Sequence, residues 1–537
     1  MNDEVRADGA ALQDALYDAV LGGDEDAVVL LLRAGASGDA RDRDGESVLY
    51  RAAMGDEPGI VRLLLAAGAD PDGLSQGTDL PLCGAACGGH TEVVRALLAA
   101  GARVDAVEEL GFRALTWAVQ LGREAVVRAL LDGGADPRLP AAKGELPLVA
   151  AVRRGSTGCV RALLEHGAAG RKEALAEARR WFGVDVEGRL RAGLVESTVG
   201  GDRQEAVTQR FAEDGGVTVV VQLLDAAGRP RNGNEQQTGH AAIATLLEAG
   251  LGIATPPDEL ADRAVRCGDP GNDDWVEAMR VLRRRGDDAT FRAAAAWCVD
   301  RDPLRRAFGA EVLGQLGTPG AQGLRPFARR VLPVLRGQAR AAGLRRSAVD
   351  EFDARRAATG LRSPHTGTAG PTGSELVELR ALITASGHQH EPAVLPDITA
   401  YATHPDPGVR RSVALALRSL APGDRPEALT ALIGLTRDTD PDARTRAAAA
   451  LAGSGVDTES VRAALAALLD DPRDDVAAEA ARGLAGRQDP RAVDTLARLL
   501  AQSPVGGYAR DVAQDAARAF VDVRVRNRLE WTWPREA

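Results

Sequence analysis

The chain has 537 residues, of which 45% are apolar and only 3% aromatic, so its core must be built from Ala, Leu and Val, which suits close-packed helices better than sheets. A formal charge of -11, from 77 acidic against 66 basic residues, gives no general footprint for gripping nucleic acid or anionic lipid. Cys83, Cys87, Cys159, Cys267 and Cys298 are too sparse for a disulfide scaffold, and an acidic start with no bilayer-length apolar run predicts a soluble, cytoplasmic chain.

The first 170 residues are periodic. Gly-Ala pairs fall at Gly35-Ala36, Gly68-Ala69, Gly101-Ala102, Gly134-Ala135 and Gly167-Ala168, each 33 residues after the last. The same interval relates Leu16, Leu49, Leu82, Leu115 and Leu148, and again Val28, Val61, Val94, Val127 and Val160. Within a unit, Leu and Ala at i and i+3 mark the buried stripe of one short helix, and Val followed by Leu-Leu marks that of a second. A glycine after the second helix suits a left-handed C-cap, and Gly23, Gly89, Gly122 and Gly155 suit the reversal between the helices, with Asp56 in the equivalent place in the second unit.

These units resemble ankyrin repeats, in stretches such as "LPLCGAACGGHTEVVRALLAAGA" from Leu80, and the resemblance implies five repeats over 9-170. Tyr17, Tyr50, Cys83, Thr116 and Val149 stand where the family usually has His. The family binds protein partners on a concave face. By position, the residues implied for it are Arg43, Asp44, Glu46, Met54, Gln76, Asp79, Glu109, Leu110, Phe112, Gln120, Leu121, Lys143, Glu145, Arg153 and Arg154.

Residues 171-288 read as a mostly helical connecting region. "KEALAEARRWF" from Lys172 predicts a helix able to cap the stack, "HAAIATLLEAGL" from His240 a second, and "GVTVVVQLLD" from Gly216 a lone strand or hairpin followed by a polar loop.

Further on, Asp302-Pro303, Asp406-Pro407, Asp440-Pro441 and Asp471-Pro472 predict helix starts, Asp as N-cap and Pro in the first turn. Columns such as Val409, Ala443, Val476 and Val512 follow, then Val413, Ala447, Ala480 and Ala516. The units resemble short HEAT repeats of a kind also seen in bilin-lyase-like proteins. First HEAT-like helices are expected over 289-362, a flexible linker at 363-374, the main array at 375-523 and a tail at 524-537. The family's Asp/Arg ladder implies Asp406 with Arg410 and Asp440 with Arg444, interrupted by Ala477.

No pattern points to catalysis or a cofactor. Cys83, Cys87 and His90 are the nearest approach to a metal site, but all three occupy repeat columns. His388 and His390 read as a polar loop, Trp531 and Trp533 as a cap on the last repeat, and the Arg62, Arg95, Arg128 and Arg161 column as a solvated face. The expectation is an all-α chain of two α-solenoids that is not an enzyme, has no metal or cofactor, and acts as a scaffold for a protein or peptide partner. The alternatives are a bilin-lyase-like HEAT enzyme and a HEAT protein that binds nucleic acid.

Overall fold

The computed structural model describes residues 2-109, 111-197, 206-213, 215-225, 228-316, 327-341, 373-420, 425-504 and 506-531. The chain divides into two compact units, Met1–Pro256 with Gly271–Ala278, and Pro257–Pro270 with Met279–Ala537.

In the first unit the 33-residue period becomes five helix pairs: Asn2–Leu21 with Glu25–Arg33, Val48–Met54 with Pro58–Ala66, Pro81–Gly88 with Thr91–Ala99, Ala114–Gln120 with Glu124–Asp132, and Pro147–Arg154 with Thr157–Glu165. No pair can bury its own apolar stripes, so each stacks on the next. The result is one continuous core in which the Leu16 and Val28 columns are fully or almost fully buried in every repeat. Each buried Leu or Val contributes about 1.5–3 kcal/mol relative to exposure. Gly35, Gly68, Gly101, Gly134 and Gly167 all have positive φ and close the second helix of their repeats. Asp56 takes the left-handed conformation of the turn glycines, with φ of 57°.

A sixth helix pair closes this stack. Arg171–Arg180 packs on Pro147–Arg154, and His240–Gly250 packs on both Arg171–Arg180 and Thr157–Glu165. Ala174, Leu175, Ala178, Ile243, Ala244 and Leu247 join the ankyrin core. Trp181 and His240 stack across the pair with ring centroids 4.6 Å apart, and Arg179 donates to Glu248 at 2.7 Å.

Between those two helices the chain inserts Val186–Ser197 and a three-stranded antiparallel sheet: β1 (Ala206–Glu213), β2 (Gly216–Leu224) and β3 (Pro230–Gln237), in that order. Leu194 meets Val219, Val221 and Leu223 in a small separate core. The sheet goes beyond the expected lone strand or hairpin, and the stretch expected as a polar loop after β2 is largely β3. β3 is an exposed edge strand, so it needs no apolar residues, and Pro230 stands at its first position, where a missing N–H is tolerated.

In the second unit the first helices of successive repeats pack in series: Pro303–Leu316, Gly373–Gly387, Pro407–Ser419, Pro441–Gly453, Asp474–Ala485 and Tyr508–Arg518. Gly387 is required by this contact, because a Cβ there would lie 2.6 Å from the Ala416 Cα. Pro426–Leu435, Glu459–Ala466 and Ala492–Gln502 supply the second helices. Asp406 caps its helix by accepting from the Val409 N–H at 2.9 Å. Asp471 does not cap one. The next helix begins at Asp474 after an N-cap at Arg473, and the Asp471 side chain is held by Arg444 instead.

Residues 363-372 of the expected linker lie outside the described residues, and Gly373 already begins a helix. The expected cap by Trp531 is corrected: the residue is 77% exposed, while Leu529 of Val523–Trp531 is the one that is buried. Trp533 lies outside the described residues.

Candidate partner-binding surfaces

The fingers that join ankyrin repeats are rigid because backbone groups are satisfied across repeats. Asp39, Asp72 and Asp105, one per repeat, accept from the N–H groups of Asp70, Arg103 and Asp136 at 2.8, 3.0 and 3.2 Å. Asp42 accepts from the N–H groups of Asp44 and Glu46, folding the fingertip back on itself. Ser47 then caps Val48–Met54 by accepting from the Tyr50 N–H. The three stitching aspartates follow the repeat period, a signal present in the sequence but hidden among solvent-facing columns.

On this frame Arg43, Asp44, Gln76, Glu109, Gln120 and Lys143 are exposed, and Glu46, Asp79, Phe112, Leu121 and Glu145 are half-buried. Met54 is 39% exposed. Leu110 lies outside the described residues. Phe112 packs on Trp117 with centroids 4.9 Å apart, and the Trp117 indole N–H donates to Glu108 at 2.6 Å. Tyr17 donates to Glu46 at 2.9 Å, from one repeat to the next. Of the residues standing where the family has His, Tyr17 thus bonds to the next repeat through Glu46, and Cys83 does so through Glu108.

Glu108 was not singled out by position, yet it is the buried carboxylate of this face. Burial raises its pKa against the opposing bonds from Trp117 and Cys83. Burial, and then Glu108, push the Cys83 thiol far above its usual range. Tyr50, half-buried and close to Asp79, Glu108 and Glu46, is raised to about 12, burial being the largest cause.

Arg153 pairs with Glu145 at 2.6 Å and Glu177 at 3.4 Å. Arg154 is turned inward: its side chain is 10% exposed, paired with Glu235 of β3, and donates to the Glu235 carbonyl at 2.8 Å. Gln236 in turn donates to the Arg153 carbonyl at 2.9 Å, so the sheet itself occupies this end of the inner-helix face.

The arginine column on the outer helices ends differently from how it starts. Arg95 pairs with Glu92, and Arg128 with Glu124 and Glu165, as on a solvated face. Arg161 bonds to Glu277 at 3.0 Å and Asp273 at 3.5 Å, both buried, and so fastens Gly271–Ala278 to the last repeat.

The HEAT ladder runs between successive repeats, through Arg410 and Arg444 but with other aspartates than those expected. Arg410 donates to Asp438 at 2.6 and 2.7 Å, and Arg444 to Asp471 at 2.8 and 3.0 Å. The expected pairing of Asp406 with Arg410 and of Asp440 with Arg444 is thereby corrected: Asp406 takes Arg380 at 2.7 Å, and Asp440 takes Arg411 at 2.7 Å. Arg306 repeats the geometry upstream, donating to Glu378 at 2.9 and 2.6 Å and to the carbonyls of Asp300 and Arg301.

Beside the Arg410–Asp438 pair lies a groove of about 870 Å³, between residues 399-405 and Pro426–Leu435. It exists because Leu395–Thr399 has only five residues, whereas Pro426–Leu435 has ten. Thr430, Ala431 and Gly434 form one wall and Ala402 and Pro405 the other.

The Cys83, Cys87 and His90 set is not gathered around a common point. Cys83 turns to Glu108, while His90 contacts the Met54 carbonyl at 3.1 Å and Asp56 at 3.4 Å. Among the described residues no three His, Cys, Asp or Glu side chains are placed to hold a metal ion, and no helix is long and apolar enough to cross a membrane. His388 is largely buried, which lowers its pKa.

The helix pairs and their stacking define an α-solenoid repeat protein. Comparison with protein families then identifies the repeats: residues 44–75 match the ankyrin repeat, 67–141 and 115–181 match ankyrin repeats in three copies, and 373–452 and 432–518 match HEAT repeats. The chain thus carries ankyrin repeats in its N-terminal part and HEAT repeats in its C-terminal part. A search of curated proteins found no match.

Proposed function

We propose that the chain is a non-catalytic scaffold that holds a protein or peptide partner on the ankyrin face built by the fingers and inner helices. Ankyrin and HEAT repeats are generally protein-interaction modules. The observation carrying the assignment is the contrast between the stacking columns of the inner helices and the residues of the fingers and the inner-helix ends. Leu49, Leu82 and Leu115 are sealed in the stack, while Met54, Gln76, Glu109, Phe112 and Gln120 remain accessible. An aromatic and a Met among uneven polar groups suit a specific interface. Its buried carboxylate and thiol serve packing and hydrogen bonding, and no cofactor is assigned to them. A reducing, cytoplasmic compartment suits five cysteines that form no disulfide.

The test is capture of the native partner by the full chain carrying Phe112→Ala with Met54→Ala. Affinity should fall by about 2 kcal/mol. Undiminished capture that disappears on changing the Thr430 and Ala431 wall would move the site to the HEAT groove.

A further inference from the structure

A second concave groove, of about 270 Å³, crosses the first helices of the HEAT repeats, with Leu415 and Arg418 at one side, Arg446 and Ala449 along the floor and Tyr508 at the other. The carboxylates around it already have cations. Asp442 pairs with Arg411 at 3.3 Å, Asp475 with Arg473 at 3.4 Å, and the buried Glu479 with Arg482. Arg418 and Arg446 are exposed and have no carboxylate partner among the described residues. The groove therefore presents two exposed, unpaired guanidiniums, while the Asp442 carboxylate shares Arg411 with Asp440 and Asp475 is held by Arg473.

Tyr508 is held rather than loose. Its hydroxyl donates to Glu479, and the residue, 52% exposed, lines the groove. Arg418 lies close enough to Tyr508 to act on it electrostatically. Two guanidiniums that pair bidentately with carboxylates thus flank an aromatic face and the apolar side chains of Leu415 and Ala449.

We propose that this groove binds an acidic segment of a partner protein, with two of its carboxylates on Arg418 and Arg446 and an intervening apolar side chain against Tyr508 and Leu415. Asp442 and Asp475 at the rim favour a peptide, whose negative charges are discrete, over the continuous phosphate chain of a nucleic acid. The inference rests on the reading of the chain as a protein-binding scaffold and gives it a second surface.

The test uses the full chain and a labelled, end-blocked peptide of alternating Glu, Ala and Leu, read by fluorescence anisotropy at low salt. Its Gln counterpart and a short oligothymidylate serve as competing probes. The Glu peptide should bind about tenfold or more tightly than the Gln peptide, weaken as salt rises, and lose about tenfold in the combined Arg418→Gln and Arg446→Gln variant. An unchanged melting curve confirms that this variant folds, and Arg437→Gln, on an arginine outside the groove, should leave binding as it was. Equal binding of the Glu and Gln peptides, indifference to the double change, or tighter capture of oligothymidylate overturns the proposal. Loss of native-partner capture in the Phe112 variant together with failure of the Glu peptide would overturn this inference alone and leave the ankyrin reading intact.

Discussion

Arg410 reaches Asp438, 28 residues ahead, through two parallel bonds of 2.6 and 2.7 Å, while its remaining nitrogen donates to the carbonyls of His404 and Pro405 at 2.8 and 2.9 Å. One planar cation thus closes the turn before its own helix and ties that repeat to the next. Lysine could not do both, because it lacks the rigid fork. Arg410→Ala strands a largely buried carboxylate and two carbonyls, and should cost about 3 kcal/mol in chemical denaturation. Asp438→Asn keeps one acceptor and should cost less, about 1–2 kcal/mol. Equal, negligible losses for both would show that the ladder follows the packing rather than supporting it.

Acid should separate the two units. Burial acts to raise the pKa of Asp406 and Asp438, but bonds from Arg380 and Arg410 and from backbone N–H groups outweigh it and hold both below the usual range. Asp489 is depressed mainly by Arg491. A depressed carboxylate contributes stability that is present above the unfolded pKa, near 3.9, and is lost as pH falls through the folded value. In the ankyrin unit, burial raises Glu108 and Asp273. Their contribution has the opposite sign: it is favourable when they are protonated and is lost as pH rises from the unfolded toward the folded pKa. Hydrogen exchange below about pH 4 should therefore show the HEAT helices opening before the ankyrin helices. The reverse order would contradict this balance.

Asp56 occupies a left-handed position that Gly89 and Gly155 fill in other repeats. Its contact with His90 is 3.4 Å long and the Asp side chain is well exposed, so little is lost by removing it. Asp56→Gly should raise stability by about 0.5–1 kcal/mol, seen as a higher melting temperature. A lower one would show that the His90 contact outweighs the backbone strain.

The repeats were readable because packing imposes a period on buried residues, and Leu49, Val61 and Gly68 can each be only a narrow range of things. Their exposed neighbours are freer, which is why the Asp39, Asp72 and Asp105 stitching passed unnoticed. The aspartate partners of the ladder are hidden in the sequence for a related reason. Spacing of four within a helix is visible in one dimension, whereas Arg410 and Asp438 meet only once two repeats have stacked. The end of the ladder is nonetheless written in both partners: Ala477 replaces the arginine, and Pro504 stands 27 residues beyond it, the interval that separates Arg444 from Asp471. β3 was invisible because an exposed edge strand of Asn, Gln and Gly has the composition of a loop.

The closing helix pair makes the final prediction. If Arg171–Arg180 and His240–Gly250 seal the ankyrin stack, the residue that clamps them matters more than any on the inserted sheet. Trp181 is buried, stacked on His240 and covered by Arg189 at 4.5 Å. Trp181→Ala should cost about 3 kcal/mol and lower the protection of the Leu148 and Leu163 helices, because truncating a buried aromatic removes its burial and leaves a cavity. Phe211 on β1 is about half exposed, and Phe211→Ser should change stability by no more than about 0.5 kcal/mol. If the two substitutions proved equally damaging, the sheet would have to be counted as part of the ankyrin core, and the sixth pair would no longer be a cap with an insertion.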